Sequence, residues 1–421
     1  MKHLISIASF FALALSAAAP AVAADAGSAA PAPAIPMVVV VSRHGVRSPT
    51  HPAELQPYAR QPWATWTGHP GDLTAHGALL MRQFGASYRR QYGDALGIGT
   101  RGCPPAGSIF IWADVDQRTR ATAEAVANGF APGCGVAVGH ASGDSDPLFD
   151  PLPGIGTVDA ATAKAAVLGT AGGDLSQFYE ADASAFATME RVLGCAPPAA
   201  CKTIVSVPTT VVNKGDGGLA SIKGGLDAAA DVAENLLLEY VEGRPTVGWG
   251  RVDRATLVQM LSLHVLNKRL EHGNRYTARA HASNIMAHVL QTLQEGASGH
   301  AVEGTRVPPH SRFVFFAGHD TQLSELAGLL GLNWLVSGDA YNDTPPGSAL
   351  VFELHAASAG AEPFVRTFLA EQSLDDMRAG HGERPSRVPV YVPGCPALDC
   401  PISDFAHVVE GAIDPSFVAP W

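Results

Sequence analysis

Three nearly continuous apolar runs, each ending in charged residues, stand out in the pattern of the chain. They cover Met37–Ser42, Ser108–Ala113 and Arg312–Ala317, and they are rich in β-branched and aromatic side chains. Runs without polar alternation are typical of strands that are buried on both faces of a parallel sheet. A further run at Ala349–Leu354 predicts another strand, which we expect to lie antiparallel at an edge of the sheet.

Helical periodicity follows these runs. It covers Leu73–Tyr92, Thr119–Asn128 and Thr321–Leu330, where apolar residues recur on one helical face. Alternating strands and helices predict an α/β fold with a mainly parallel sheet flanked by helices.

The middle of the chain has a different pattern. Between about 151 and 262 there are few strand signals and many alanines, and Leu226–Val241 has a helical pattern. We predict a mostly helical cap domain at 151–262, inserted into an α/β catalytic domain made of 37–150 and 263–421. A cap of this kind would close over a site and select substrates.

The residues with chemical potential follow directly after the three apolar runs. Ligands of open α/β sheets bind outside the carboxyl ends of the strands, so we expect one shared site. The residues concerned are Arg43, His44, Arg47, Asp114, Arg118, His319 and Asp320.

This set of residues fits phosphoryl transfer. Arginine offers a planar fork of donors with a permanent charge, and a neutral His44 can attack phosphorus to give a phosphohistidine. A protonated Asp320 can give its proton to the leaving alkoxide and then activate a water molecule. The arginines supply the charge stabilisation, so we expect no metal and no other cofactor. Each motif alone could be an ordinary strand-terminal turn or helix cap; their coincidence at three strand ends favours catalysis.

Charge narrows the choice of ligands. The 421 residues carry a formal net charge of -11, which argues against nonspecific nucleic-acid binding. An acidic protein that binds an anion must place its cations locally. The expected partner is therefore a small-molecule phosphate monoester, and no nucleic acid.

The N-terminus predicts export. A short basic start precedes the apolar stretch Leu4–Ala18, and small residues follow up to Ala24. We predict a signal peptide at 1–24 and an Ala/Pro-rich tether at 25–36, hence a periplasmic or secreted protein without membrane attachment after cleavage. An uncleaved membrane anchor is the alternative, but the stretch is short for a spanning helix.

The cysteines agree with export. The chain has six, and fifteen connectivities are possible. No Cys-x-x-Cys or paired-histidine spacing predicts zinc, so disulfides in an oxidising compartment are favoured. Proximity predicts three local pairs: Cys103 with Cys134, Cys195 with Cys201, and Cys395 with Cys400.

The motifs resemble a known family. Arg43–Pro49 is similar to the Arg-His-Gly-x-Arg-x-Pro signature of the histidine acid phosphatases, branch 2 of the histidine phosphatase superfamily. Gly318–Thr321 resembles their distal His-Asp motif, and Asp114–Thr119 resembles the segment with their third phosphate-binding arginine. The similarity is greatest to periplasmic bacterial phytases and covers most of the chain after residue 37.

The resemblance implies a phosphoglycerate-mutase-like α/β domain with an α-helical lid, a monomer, and disulfides at the three cysteine pairs. His44 would be phosphorylated, Asp320 would be the acid, and Arg43, Arg47, Arg118 and His319 would bind the scissile phosphate. The pocket residues implied to contact substrate are Thr50, His51, Asp114, Glu234, His264, Arg279 and Thr321.

The resemblance also favours a substrate. The His-Asp-Thr sequence favours a phytase, a myo-inositol hexakisphosphate phosphohydrolase, although Gln322 replaces the usual Asn. His51 stands where these phytases often have lysine and is cationic only under acidic conditions. The alternatives are a glucose-1-phosphatase or a broad-specificity acid phosphatase. A periplasmic phosphate-ester binding protein is the non-enzymatic alternative, but it would have no use for His44 beside arginines and opposite an acid.

Overall fold

The computed structural model describes residues 35–150, 154–195, 201–213, 219–357 and 361–419. The predicted signal peptide and positions 25–34 of the predicted tether lie outside the described residues. All described residues belong to one compact unit. Within these ranges no helix is both long and apolar enough to span a lipid bilayer.

Ten strands lie in the described part of the chain. Numbered β1 to β10 in chain order, they are Met37–Arg43, Ile109–Ala113, Val138–His140, Thr210–Asn213, Ala220–Lys223, Phe313–Gly318, Ala349–His355, Phe364–Glu371, Ser386–Val390 and Asp399–Pro401.

Twelve α-helices accompany these strands over the same described ranges. Numbered α1 to α12, they are Pro52–Leu55, Ala75–Tyr92, Gln117–Phe130, Ala160–Thr170, Gln177–Ala181, Ala183–Leu193, Gly225–Val241, Arg254–Glu271, Arg275–Ser298, Asp320–Leu330, Leu374–Ala379 and Ile402–Ala412. Short 3-10 turns lie at Gln56–Tyr58, Ile204–Ser206, Gly248–Gly250 and Pro415–Phe417.

The main sheet has the order β10-β8-β7-β1-β6-β2-β3, with β9 also paired to β8. The pairs β1–β6, β6–β2 and β2–β3 are parallel, which confirms the predicted parallel arrangement of the three apolar runs. The strand predicted at an edge, β7, is antiparallel as expected, but it lies inside the sheet between β1 and β8. Its edge position was wrong because all seven of its residues are buried by neighbours on both sides.

The apolar run of β1 is continuous because both faces of the sheet are covered. Val38 and Val40 pack into a core with α2 and α3, whereas Val39 and Val41 pack into a second core with α9, α10 and α12. Successive side chains of a strand point to opposite faces, so each face needs its own apolar residues.

The region between β3 and α9 is mostly helical, with a β4–β5 hairpin that the sequence pattern did not predict. It is packed around a third core, to which α6, α7 and α8 contribute. Position 262 falls inside α8, and Leu257, Leu261 and Leu270 of this helix belong to that same core. The core around α6, α7 and α8 thus continues past position 262.

The three predicted disulfides are present. Cys103 is bonded to Cys134, Cys195 to Cys201 and Cys395 to Cys400. Proximity along the chain selected the right connectivity because each bridge closes a local loop.

Candidate active site

The carboxyl ends of β1, β6 and β2 meet at one edge of the sheet. The register of β1 and β6 pairs Arg43 with Gly318. The backbone N–H of His44 donates to the carbonyl of Gly318 at 2.8 Å, and that of Asp114 donates to the carbonyl of Ala317 at 3.0 Å. These bonds continue the sheet into the loops, so the three charged segments lie side by side.

His44 is oriented for nucleophilic attack. Its side chain is buried, and its Nδ1 lies 2.8 Å from the carbonyl oxygen of Gly45, which can only accept a hydrogen bond. Nδ1 therefore carries the proton, and Nε2 keeps its lone pair. Burial, and then the positive charges of Arg47 and Arg43, hold the pKa of His44 well below its ordinary value. The imidazole is neutral, as a nucleophile must be.

Gly45 lets this loop pack closely against α2. A Cβ atom at this position would lie 2.6 Å from Cγ of Met81 and 3.3 Å from the carbonyl oxygen of Gly77. The backbone N–H of Gly45 donates to Oγ1 of Thr122 in α3 at 2.9 Å. The loop that carries His44 and Gly45 is thus held against α2 and α3.

Glu234 of α7 joins two of the arginines. Its Oε1 accepts hydrogen bonds from Nη2 of Arg43 at 2.5 Å and from Nη2 of Arg47 at 3.3 Å. Burial alone would raise the pKa of Glu234, but the two guanidinium groups hold it below its ordinary value. The Nε atoms of both arginines are buried and have no hydrogen-bond partner among the described residues, so each retains a donor.

His319 is held by a carboxylate on one side and an arginine on the other. Its Nε2 donates to Oδ2 of Asp114 at 2.7 Å, and Nη2 of Arg118 lies 3.4 Å from its Nδ1. Arg118 is paired in turn with Asp116 at 2.6 Å. The resemblance implied a substrate contact for Asp114, but its carboxylate is buried against His319 and orients that ring.

Asp320 is surrounded by cations. Its Oδ2 is 3.2 Å from Nε2 of His264, 3.4 Å from Nζ of Lys268 and 3.9 Å from Nη2 of Arg43. Burial alone would raise the pKa of Asp320, but Lys268, Arg43 and His264 together hold it well below its ordinary value. Asp320 is thus a carboxylate in this arrangement and needs a further negative charge nearby to take up a proton.

Lys268 is the contact that the sequence reasoning missed. It follows His264 by one helical turn on α8, so both side chains project from the same face toward Asp320. The i, i+4 spacing of a histidine and a lysine was the available signal.

Gln322 fixes the first turn of α10. Its Oε1 accepts a hydrogen bond from the backbone N–H of His319 at 2.8 Å, and its Nε2 donates to the carbonyl of Phe149 at 2.9 Å. The glutamine that departs from the family pattern therefore anchors the loop that carries His319 and Asp320. Thr321 lies beside them in the same turn and is half-buried.

Two cavities are lined by both Arg47 and Glu234. One of about 60 Å³ lies beside Thr50 and His51 and reaches Arg47 and Glu234. The other, of about 240 Å³, is lined mainly by polar side chains. Those it shares with the site are Arg47, Glu234, His264, Lys268 and Asp320.

Arg279 has a different environment. It lies in α9, where its Nη2 donates to the carbonyl of Ile413 at 3.1 Å. It lines neither cavity, and within the described residues no contact joins it to the other site residues. The structure therefore gathers the predicted residues at one site, except for Arg279.

Known proteins share this arrangement of the chain. The family described as histidine phosphatase superfamily (branch 2) matches residues 34–218 and 227–370. The phytase AppA of Escherichia coli strain K12 is 33% identical over 404 residues, covering 90% of this chain and 92% of the relative. A glucose-1-phosphatase of Providencia rettgeri is 25% identical over 397 residues, covering 90% and 91%.

A solved structure gives the same result for the fold. The Hafnia alvei phytase in complex with tartrate superposes with a TM-score of 0.86 at 30% identity. The match covers 93% of this chain and 100% of the phytase chain.

Proposed function

This chain belongs to branch 2 of the histidine phosphatase superfamily, and from that membership we propose that it is an acid phosphatase of the phytase type. Its substrate would be myo-inositol hexakisphosphate, and its reaction would pass through a phosphohistidine at His44. The observation that carries the proposal is the unprotonated Nε2 of a buried His44, set among arginines of which Arg43 also approaches Asp320.

The first step is capture of a phosphate group. Arg43, Arg47 and Arg118 offer planar guanidinium donors to its oxygens, and His319 offers an imidazole. The unpartnered Nε donors of Arg43 and Arg47 support this role, because buried donors without partners favour a ligand that satisfies them.

Transfer then exchanges one bond at phosphorus for another. Nε2 of His44 forms the new P–N bond while the P–O bond to the inositol oxygen breaks. In the second half-reaction a water oxygen forms a P–O bond, the P–N bond breaks, and inorganic phosphate leaves with His44 restored.

Asp320 moves the proton in both halves. The negative charge of a bound phosphate offsets the cations around Asp320, so its pKa rises and the carboxylate takes up a proton. The acid gives this proton to the leaving alkoxide, and the resulting carboxylate accepts a proton from the attacking water. Lys268 and His264 return Asp320 to the charged state when phosphate departs.

Two carboxylates act as positioning groups in this scheme. Asp114 holds the ring of His319, and Glu234 holds Arg43 and Arg47. Neither needs to touch the reacting atoms, since each fixes the direction of a cation that does.

The way in which the charge of the two cavities changes with pH supports a highly phosphorylated substrate. Asp231 lines both cavities and is exposed as a residue, but its carboxyl group is surrounded by protein atoms. This burial of the carboxyl group, together with the negative charge of Asp227, raises the pKa of Asp231 to about 6. Protonation of Asp231 makes both cavities less negative as the pH falls. A substrate with several phosphates would gain most from that change.

The domain division and export belong to the same proposal. We assign the helical region to a substrate-selecting cap, because Glu234, His264 and Lys268 reach the site from its helices. Three disulfides support maturation in an oxidising compartment, periplasmic or extracellular, after removal of the N-terminal segment. We also propose that the protein is a monomer.

The decisive experiment compares substrates. Phosphate release from phytate, glucose 1-phosphate and p-nitrophenyl phosphate is measured as kcat/KM between about pH 3 and pH 7, with His44→Ala as the blank. The proposal requires the highest kcat/KM for phytate. A preference for glucose 1-phosphate would replace the phytase assignment by the sugar-phosphatase alternative, and no turnover of any ester would refute the catalytic assignment.

A further inference from the structure

Two imidazoles and one carboxylate converge behind the helix that carries Asp320. His272 follows the last residue of α8, His281 lies in α9 and Glu325 lies in α10. Oε1 of Glu325 is 3.2 Å from Nδ1 of His272 and 2.6 Å from Nδ1 of His281. We propose that these three side chains bind a divalent transition-metal ion of the zinc class, at a site separate from the phosphate chemistry.

The donor set and its dimensions fit such an ion. Zinc takes imidazole nitrogen and carboxylate oxygen at roughly 2.0–2.2 Å, which places tetrahedral ligand atoms about 3.3 Å apart. The ligand atoms of His272, His281 and Glu325 all lie within 4.8 Å of one another. The contact of His272 already has the required length, and that of His281 must open by less than about 1 Å, which a small side-chain rotation allows.

The hydrogen-bonding pattern favours a cation over a simple ion pair. Both Nδ1 atoms approach the same oxygen of Glu325, whereas its Oε2 is buried and has no hydrogen-bond partner among the described residues. The two imidazoles thus use only one oxygen of the carboxylate, and the buried second oxygen is left without a donor in the described part of the chain. A metal ion between the three groups satisfies the convergent arrangement and can also accept Oε2 as a ligand.

The surroundings supply a second shell and an open coordination position. Nε2 of His272 lies 3.9 Å from Oε1 of Glu271, so coordination through Nδ1 would leave an Nε2 proton facing a carboxylate, as in many metal sites. The side chains of His272 and His281 are each 15% exposed, which leaves room for a water ligand.

An anionic ligand fits this place poorly. Although His272 lines the larger cavity, the buried carboxylate of Glu325 stands between the two imidazoles and would repel a phosphate group.

The ion would tie together three helices. It would link the end of α8, the first turns of α9 and the second turn of α10, and α8 and α10 carry Lys268 and Asp320. We therefore expect the ion to stabilise the folded chain and to leave phosphoryl transfer to the residues described above.

The test uses the full-length mature protein, freed of metal with a chelator and titrated with Co²⁺ and Zn²⁺ near neutral pH. We expect one Co²⁺ per chain with the visible absorption of a low-coordinate cobalt–imidazole site, and a Zn²⁺-dependent rise of a few degrees in Tm. Glu325→Gln and His272→Ala should each weaken binding by about 100-fold. His300→Ala, at an exposed histidine outside the cluster, is the control and should bind as the wild type does.

Two other results would overturn the proposal. Absence of stoichiometric binding in the wild type would mean that the cluster is only a hydrogen-bonded triad. Unchanged binding in both variants would place the ion elsewhere, with Asp114, Asp116 and His319 as the other candidate group. If Glu325→Gln fails to fold, His272→Ala alone decides, because its side chain is partly exposed. None of these results depends on phosphatase activity.

Discussion

The site has two halves that are built in different ways. The strand-end half comprises the residues after β1, β2 and β6, which lie in short contiguous segments and are bonded to the sheet through their backbones. The helical half comprises Glu234, His264 and Lys268, which reach the site from the middle of α7 and the second half of α8. In the proposed reaction, the first half supplies the phosphate donors, the nucleophile and the acid, and the second sets the charge and direction of those groups.

The difference shows how the two tasks depend on position. A nucleophile and a set of donors must be held within a fraction of an ångström, and the sheet edge gives that rigidity. Charges that adjust a pKa act over several ångströms, so a helix can deliver them. We therefore expect substitutions in the strand-end half to remove chemistry, and those in the helical half to change its pH dependence.

The largest expected effect compares two buried histidines, one from each half. His44→Ala should lower kcat by about 10,000-fold or more and abolish phosphoenzyme labelling, since the nucleophile is lost. His264→Ala should cost only about 10- to 100-fold, because Asp320 keeps Lys268 and Arg43. Rapid-quench labelling and steady-state kinetics measure both. Equal losses of kcat in the two variants would contradict the distinction between the two halves.

Asp320→Asn should show a strong dependence on the leaving group. We expect a loss of about 1,000-fold on phytate or other alkyl phosphates, but only about 10-fold on p-nitrophenyl phosphate, whose leaving group needs no proton. The two kcat values of the variant against those of the wild type test this. Similar losses on both substrates would mean that Asp320 is not the acid.

Lys268→Met should shift the pH profile more than the maximal rate. Without the ammonium group, the pKa of Asp320 rises and the protonated acid persists to higher pH. The alkaline limb of kcat on an alkyl phosphate should move upward by about one pH unit. Lys164→Met, at an exposed lysine of α4, is the matched control. A profile that stays in place would assign Lys268 a purely structural role.

The last effect is on stability and not on rate, and it concerns the loop that holds Arg43 through the carbonyl of Thr344. Burial raises the pKa of the neighbouring Asp343 to about 6, so its contribution to stability is full below about pH 4 and is lost as the pH rises through 6. A pKa difference of about 2 corresponds to roughly 3 kcal/mol.

Asp343→Asn should therefore be more stable than the wild type at about pH 8, by up to that amount, and nearly equal to it at about pH 4. Urea unfolding at both pH values measures the difference, with the exposed Asp404→Asn as control. A stability gain that is the same at both pH values would contradict a raised pKa.

The two halves also differ in what the sequence could predict. The motifs around His44 and His319 follow apolar strands, and parallel strands place their carboxyl ends at one edge, so that half could be assembled from local patterns. Glu234 and His264 were found only through a family resemblance, and Lys268 was missed. Whether helices bring side chains together depends on their crossing geometry, which local spacing does not encode.

Because local spacing does not encode how elements pack, the sequence predictions also differ from the structure at other positions. The family resemblance implied a substrate contact for Arg279, but its guanidinium group donates a hydrogen bond to the carbonyl of Ile413. His272 and His281 are separated by a turn between α8 and α9, so their spacing did not resemble a ligand pair. β7 was predicted at an edge because the sequence pattern did not show that β8 would pair with it.

The pairing of β1 has a consequence for the order in which the protein matures. Val38 lies opposite Phe313 on one side and Glu353 on the other, so β1 leaves the ribosome before both of its partner strands. Contacts between such distant segments form late in folding. The segment with His44 is thus synthesised before the segment with Asp320, and it gains its proposed catalytic environment only after that second segment has folded against it. A truncated or unfinished chain should carry the nucleophile without being able to use it.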